Sequence, residues 1–135
     1  MNALFADTSY YLALLSDGDE FHDRAVRLSK EMRRPVVVTE FILVETGNSL
    51  GSVSERRLFT GLWPHLRADP AVRIIPASSE LLQAGYELYS RRPDKSWSLT
   101  DCTSFVVMQD LNLREALTAD HHFEQAGFVA LLRHG

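Results

Sequence analysis

Four carboxylic acids stand at positions where an α/β chain could use them for chemistry. Asp7 and Asp120 each follow a short apolar segment that is typical of a buried strand. Asp101 lies at the start of one predicted helix, and Glu45 lies in the middle of another. The strand order that this topology implies can bring all four acids to one edge of a sheet, so we expect them to share a pocket.

Carboxylates in one pocket repel each other unless a cation neutralises them. The chain has one cysteine, Cys102, and no well-spaced histidine pair, so a metal ion would have oxygen ligands. Such ligands favour Mg²⁺ or Mn²⁺ over zinc. A site of this kind can activate water and stabilise the charge that develops on a scissile phosphodiester. Hydrolysis of phosphodiester bonds is therefore expected, in preference to redox or acyl-transfer chemistry.

Each acid also has a simpler explanation. Asp7 and Asp120 could cap the helices that follow them, and the segment from Ser98 to Asp101 resembles a capping box. Glu45 could extend to water from the boundary of the core. At about 100° per residue, Glu45 shares a face of its helix with Phe41, Val44 and Asn48, and a carboxylate beside apolar side chains needs a function. The prediction rests on the four acids together.

The elements that must position these acids alternate between short apolar strands and longer helices. Strands are predicted at residues 3–6, 36–38, 72–75, 116–118 and 128–131. Helices are predicted at residues 10–15, 19–32, 40–50, 54–66, 80–89, 99–110 and 120–126, with Thr39 and Ser78 as caps and a polar loop at 91–98. This alternation predicts an α/β fold: a three-layer α/β/α sandwich with a mostly parallel sheet of four to five strands.

Composition is that of a globular protein. The chain has 135 residues, of which 45% are hydrophobic and 24% charged, and we expect one domain at residues 1–135. A single cysteine excludes an intramolecular disulfide framework. The apolar runs are too short to span a bilayer, and the N-terminus does not resemble a signal peptide, so a cytoplasmic protein without a membrane partner is expected. The net charge of −4 does not indicate a nucleic-acid binder and does not exclude one.

Four sequence blocks occur in an order and spacing that resemble the PIN-domain family, in particular the short, VapC-like toxins of toxin–antitoxin pairs. The blocks are FADTSYYLA at 5–13, TEFILVETGN at 39–48, LTDCTSF at 99–105 and LTADHHFEQAGF at 117–128. Each block alone is a weak signal. Four in order, spread over nearly the whole chain, form a fairly specific match.

The resemblance implies a PIN-like fold and a metal-dependent endoribonuclease. It places Asp7, Glu45, Asp101 and Asp120 at the catalytic and metal-binding positions, with Mg²⁺ or Mn²⁺ as the cofactor. Our hypothesis for their roles is that Asp7 and Asp101 bind the metal directly, while Glu45 binds a second metal or orients the attacking water. Asp120 would bind directly or through water. The resemblance also implies an RNA substrate, a homodimer and an antitoxin whose tail covers the acidic pocket.

Other residues are weaker candidates for contacts with RNA. The Thr8 hydroxyl could position Asp7 or a water, although a local turn hydrogen bond explains it as well. Arg91 and Arg92 belong to a basic loop with Trp97, which could hold single-stranded RNA by charge and stacking. The alternative is a solvated loop with Trp97 in the core.

His121 and His122 follow Asp120 directly and suggest a transition-metal site. Neighbouring helical residues diverge by about 100°, so the two rings are not expected to chelate one ion. His121 at the rim of the pocket could instead contact an RNA phosphate, or remain a solvated surface residue.

Two other classes of protein compete with the nuclease. A PIN-like scaffold that binds RNA or protein without catalysis is the main alternative, and the presence of all four acids argues against it. An aspartyl-phosphate phosphatase needs a second Asp two residues after the nucleophile, but Ser9 stands there. A receiver domain needs an Asp after a central strand and a late lysine, and neither is present. The sequence does not name the RNA.

Overall fold

The computed structural model describes residues 2–134. Within that range, five strands alternate with seven helices. The strands are β1 (Leu4–Ala6), β2 (Val36–Thr39), β3 (Val72–Ile75), β4 (Glu115–Leu117) and β5 (Val129–Ala130). The helices are α1 (Thr8–Leu15), α2 (His22–Glu31), α3 (Glu40–Ser49), α4 (Arg56–Ala68), α5 (Ser79–Arg91), α6 (Leu99–Asp110) and α7 (His121–Gln125).

The strands form one parallel sheet in the order β3-β2-β1-β4-β5. Phe5 at the centre of β1 is in register with Val37 of β2 and with Ala116 of β4. The helices flank the sheet, which confirms the predicted three-layer α/β/α fold. The strand order changes direction between β1 and β4, and the carboxyl ends of these two strands therefore form the switch point where ligands bind in such sheets.

Residue types explain why the central strands form. Three consecutive valines in β2 favour the extended backbone because their branched side chains pack well on a pleated surface. Every residue of β1 and β2 is buried. Burial on both faces is expected for strands covered by helices on either side.

An aromatic cluster anchors the helices that carry the later acids. Phe105 of α6 meets Trp97 at a centroid distance of 5.0 Å and Phe123 of α7 at 4.9 Å, both edge to face. Trp97 is only 6% exposed, so its interpretation as a core residue is confirmed. Asp101 lies between Trp97 and Phe105 in the chain, and the core therefore fixes the start of α6.

Element ends differ from the sequence prediction in a few places. Helix α1 begins at Thr8, two residues early, because Asp7 caps it. Helix α5 continues to Arg91, which was assigned to the loop, and the Arg92 N–H closes its last turn on the Tyr89 carbonyl. Strand β4 is displaced by one residue toward the N-terminus, to Glu115–Leu117.

Two smaller expectations can be compared with the described residues. Cys102 is buried and free, as expected. Within residues 2–134, no helix combines the length and the apolar character needed to cross a membrane.

Candidate active site

Asp7 lies at the carboxyl end of the central strand and is 4% exposed. Its Oδ2 accepts hydrogen bonds from the Ser9 hydroxyl and the Thr118 hydroxyl, both at 2.8 Å. The Ser9 backbone N–H also points to Oδ2 at 3.4 Å, which makes Asp7 the cap of α1. Three donors on one oxygen fix the orientation of the carboxylate.

Asp101 occupies the third position of α6 and forms the predicted capping box with Ser98. The Ser98 N–H donates to Asp101 Oδ2 at 3.0 Å, and the Asp101 N–H donates to the Ser98 hydroxyl at 2.9 Å. The same Oδ2 lies 3.1 Å from Nδ1 of His122. The start of α6 and the His122 ring together therefore hold the Asp101 side chain.

Asp120 caps α7, as its simpler explanation predicted. Its Oδ1 accepts the His122 backbone N–H at 2.9 Å. Its own N–H donates to the Thr118 hydroxyl at 3.0 Å, and that hydroxyl in turn donates to Asp7. Thr118 thus connects the acids that follow β1 and β4.

Glu45 joins the site from α3. Its Oε1 accepts the Thr8 hydroxyl at 2.5 Å, and Thr8 also receives the Thr46 hydroxyl at 3.3 Å. Phe41, Val44 and Asn48 share this face with Glu45, as predicted, and Val44 is 61% exposed, so the face is not part of the core. That face instead borders an open groove of ≈ 450 Å³ lined by Phe41, Val44, Glu45, Asn48, Ser49 and Thr100.

Neighbouring acids contribute to the raised pKa values of Asp7, Glu45 and Asp101. Burial raises the pKa of Asp7 to about 6, with further increases from Asp101 and Glu45 and opposing effects from its hydroxyl partners. Burial also raises the pKa of Glu45, to which Asp101 and Asp120 add, while the Thr8 bond lowers it. The pKa of Asp101 is raised by burial and by Asp120, against its Ser98 and His122 contacts.

Each of these acids uses one oxygen and leaves the other available. Within residues 2–134, the recorded hydrogen bonds end on Asp7 Oδ2, Glu45 Oε1, Asp101 Oδ2 and Asp120 Oδ1. The only lysine, arginine or histidine side chains within 4 Å of them in that range are those of His121 and His122. Four free oxygens with uncompensated charge fit a hard divalent cation.

The two histidines lie closer to the acids than expected. Nδ1 of His121 and Nδ1 of His122 are 3.7 Å and 3.4 Å from Asp120 Oδ1. One ligand atom from each of these three residues lies within 4.8 Å of the others. The three residues therefore lie closer together than the divergence of neighbouring helical residues predicted.

The predicted basic contacts lie apart from the acids. Arg92 forms an ion pair with Asp94 at 3.0 Å, and its guanidinium stacks over Trp97 at 5.1 Å. Arg91 is exposed at the end of α5. Within the part of the chain that the structure describes, neither arginine pairs with a site carboxylate, and their contact with RNA stays a prediction.

Two residues of the site have roles that sequence reasoning missed. The Thr46 hydroxyl donates to the Ile42 carbonyl at 2.7 Å, and the more distant Thr8 hydroxyl oxygen, at 3.3 Å, shares that one hydrogen. His122 contacts Asp101 across 21 positions of the chain. A threonine one residue after Glu45 and a histidine two residues after a capping Asp were the available signals, and both are common without any such role.

A larger cavity, of ≈ 680 Å³, lies at the opposite end of the sheet. Its lining includes Arg34, Arg73, Arg114 and Glu115, which are close to the amino ends of the strands. Arg34 pairs with Glu115 at 2.6 Å. This cavity contains none of the four acids, and the chemistry that they indicate is separate from it.

Comparisons with known proteins agree with this geometry. The family described as PIN domain matches residues 4–129. The chain is 30% identical over 126 residues to the 23S rRNA-specific endonuclease VapC20 of Mycobacterium tuberculosis, which covers 93% of this chain and 95% of the relative.

Solved structures also match this chain over nearly its whole length. The crystal structure of Mycobacterium tuberculosis VapC20, described as a Sarcin-Ricin loop cleaving toxin, has a TM-score of 0.85 at 29% identity and covers 93% of this chain and 96% of that one. FitAcB from Neisseria gonorrhoeae has a TM-score of 0.66 at 17% identity, with 94% of both chains covered. The similarity to FitAcB shows a shared fold alone.

Proposed function

The chain belongs to the PIN domain family, and we propose that it is a metal-dependent endoribonuclease that hydrolyses RNA phosphodiester bonds. The observation that supports this most strongly is the set of four carboxylates, each fixed through one oxygen and free at the other. A non-catalytic scaffold has no need to collect unneutralised acids in a partly buried place, because their repulsion destabilises the fold.

Asp7, Glu45, Asp101 and Asp120 would hold Mg²⁺ or Mn²⁺ through the free oxygens. The bound ion would lower the pKa of a water and stabilise the charge on the phosphoryl oxygens. Around it, Ser9 and Thr118 orient Asp7.

The remaining side chains of the site have positioning roles. Ser98 and His122 orient Asp101, and Thr8 orients Glu45. Glu45, at the edge of the groove, would either bind a second metal ion or orient the attacking water. The water oxygen attacks phosphorus and gives up a proton to solvent, the bond to the 3′ oxygen breaks and that oxygen takes a proton from solvent, and the products carry a 5′-phosphate and a 3′-hydroxyl.

The substrate that we propose to test first is structured ribosomal RNA. VapC20 carries the description 23S rRNA-specific endonuclease, and this chain matches nearly all of its length. We propose the corresponding biological role, a toxin that acts in the cytoplasm, where ribosomes are, and that is held inactive by a small antitoxin. Thr8, Arg91, Arg92 and His121 remain proposed contacts to RNA.

We further propose that residues 1–135 act as one domain and form a homodimer. Helix α5 exposes Leu82, Tyr86 and Tyr89 by 44%, 53% and 49%, and their spacing places them on one face of the helix. Exposed apolar rows of this kind are typical of protein interfaces.

The test is cleavage of purified 23S rRNA and tRNA by wild-type protein with Mg²⁺, Mn²⁺ or EDTA. Cleavage is expected with either metal and not with EDTA. Asp7→Asn and Asp101→Asn should lower the rate by at least about a hundredfold, because each removes a charged metal ligand. Asp110→Asn, an exposed acid of α6 outside the site, serves as the matched control and should cleave like wild type.

Sequencing of the product ends checks the chemistry, since breakage of the bond to the 3′ oxygen leaves a 3′-hydroxyl on the upstream fragment and a 5′-phosphate on the downstream fragment. Equal cleavage by wild type and by both site variants would contradict the proposal. Folded protein without activity on any RNA and with either metal would favour the scaffold.

A further inference from the structure

The two imidazoles beside the carboxylates form a donor set of a different chemical kind. Asp120 Oδ1 lies 3.7 Å from Nδ1 of His121 and 3.4 Å from Nδ1 of His122. Donor atoms around tetrahedral zinc are about 3.4 Å apart, given metal–ligand bonds of about 2.1 Å. These two separations are close to that value, and all three ligand atoms lie within 4.8 Å of one another, so small side-chain movements would form a zinc site.

The start of α7 explains why two consecutive rings converge. Asp120 is in extended backbone conformation, and its carboxylate folds back to accept the His122 N–H. The carboxylate thus lies at the end of the helix, ahead of its first turn. Rings at the first two helical positions can both reach an ion placed there, whereas they would diverge from an ion beside the helix.

A fourth ligand is within reach. Asp101 Oδ2 is 3.1 Å from Nδ1 of His122, so an ion among these atoms would take the place of the hydrogen that the ring shares with the carboxylate. The carboxylate of Asp101 is held there by Ser98, whatever the ion. Asp120, His121 and His122 lie within 4.8 Å of one another, and a movement of the Asp101 carboxylate toward them would complete a set of two imidazoles and two carboxylates, the ligand number of tetrahedral zinc.

We propose that Asp120, His121 and His122, with Asp101 as the fourth ligand, form a regulatory site for a transition-metal ion of the Zn²⁺ type. Imidazole nitrogen favours Zn²⁺ over Mg²⁺ and Mn²⁺, and all-oxygen ligands favour the latter pair. The site shares two acids with the proposed catalytic centre. Occupation by Zn²⁺ therefore closes the catalytic centre to Mg²⁺.

The binding test uses tag-free, metal-stripped full-length protein and Co²⁺ as a spectroscopic substitute for Zn²⁺. One equivalent of Co²⁺ should give the visible absorption of a tetrahedral complex, and Zn²⁺ should displace it. His121→Ala should weaken Co²⁺ binding by at least about tenfold. The His121 side chain is 58% exposed, so this variant is expected to fold.

Two matched variants make the test specific. His65→Ala removes an exposed histidine of α4 and should leave Co²⁺ binding unchanged. Asp7→Asn should weaken Mn²⁺ binding, measured by electron paramagnetic resonance, and retain the tetrahedral Co²⁺ signal. Absence of a saturable tetrahedral signal, or an unchanged signal in His121→Ala, would overturn the proposal.

Inhibition is measured separately because it rests on the proposed nuclease function. With Mg²⁺ present, Zn²⁺ at one equivalent should stop cleavage by wild type and should be at least about tenfold less potent on His121→Ala. If no RNA is cleaved under any condition, the nuclease proposal fails, and the Co²⁺ titration still decides whether the metal site exists. Zn²⁺ binding at the site without loss of cleavage would refute its regulatory role.

Discussion

Asp7 and Asp120 cap helices and Asp101 belongs to a capping box, and all three are also proposed metal ligands. Each capping contact uses a single oxygen, so the second oxygen stays free for a ligand. The two explanations that the sequence offered for these acids are therefore compatible. A cap also fixes the rotamer of its side chain, which is what a metal ligand requires.

The buried carboxylate of Asp7 should make the metal-free protein less stable as pH rises. Its pKa is about 6 in the folded state against an ordinary value of 3.8, so the native state binds the proton more tightly than the unfolded state. This contribution is complete below about pH 4 and is lost as pH rises through about 6. Asp7→Asn should therefore raise the free energy of unfolding in EDTA at pH 8 by roughly 1 to 3 kcal/mol.

Urea denaturation of wild type and Asp7→Asn between pH 4 and pH 8 measures this effect. The difference between the two proteins should shrink toward pH 4. Asp110→Asn, an exposed acid, should follow the wild-type curve. If Asp7→Asn is less stable than wild type at pH 8, ionised Asp7 does not destabilise the folded state and the prediction is wrong.

Local patterns predicted the four acids and their nearby partners better than their distant ones. Asp101 could be placed because its capping box lies within four residues. The hydroxyl that orients Asp7 comes from Thr118, which is 111 positions away. A contact at that distance depends on the order of the strands, which periodicity alone does not determine.

At the scale of the element, helix α6 depends on Ser98 for both its start and its acid. Ser98→Ala removes the hydroxyl that accepts the Asp101 N–H. The loss of such a cap costs about 1 kcal/mol. Because Asp101 is part of the site, this variant should lower the cleavage rate as well as the stability.

Ser78→Ala is the matched control, since Ser78 caps α5 through the Leu81 N–H at 3.0 Å and touches no site residue. It should lose a similar free energy of unfolding and keep the wild-type cleavage rate. Urea denaturation and a cleavage assay on the same preparations compare the two. Equal rates in both variants would show that the cap at Ser98 contributes to stability alone.

Helices and strands were predicted best where residues that are neighbours in the chain determine them. The valine run of β2 and the caps Thr39 and Ser78 are confirmed. The exposure of Val44 could not be predicted from helix periodicity, because a helix face at the rim of a groove carries apolar side chains without being buried. The closeness of His121 and His122 to Asp120 could not be predicted either, because it depends on the extended backbone of Asp120 before α7.

At the scale of the whole molecule, the topology collects charge from four distant segments. The switch point between β1 and β4 brings Asp7 and Asp120 to one edge, and α3 and α6 add Glu45 and Asp101. Alternating strands and helices predicted the layers of this fold. The central position of β1 comes from packing the whole chain, which no single segment encodes.

Since only the folded chain gathers these acids, a bound cation should stabilise the molecule as a whole. An ion at a hundred times its dissociation constant adds about 2.7 kcal/mol to the free energy of unfolding, which corresponds to a rise in Tm of several degrees, roughly 5–15 °C for a chain of this size. The pKa values of Asp7, Glu45 and Asp101 are all raised, so protons compete with the metal at low pH. Mg²⁺ or Mn²⁺ should therefore raise Tm strongly at pH 8 and weakly at pH 5, and Asp7→Asn should lose most of the rise. Sodium chloride at equal ionic strength controls for screening, and a shift of the same size with sodium would mean that the acids repel each other without holding an ion.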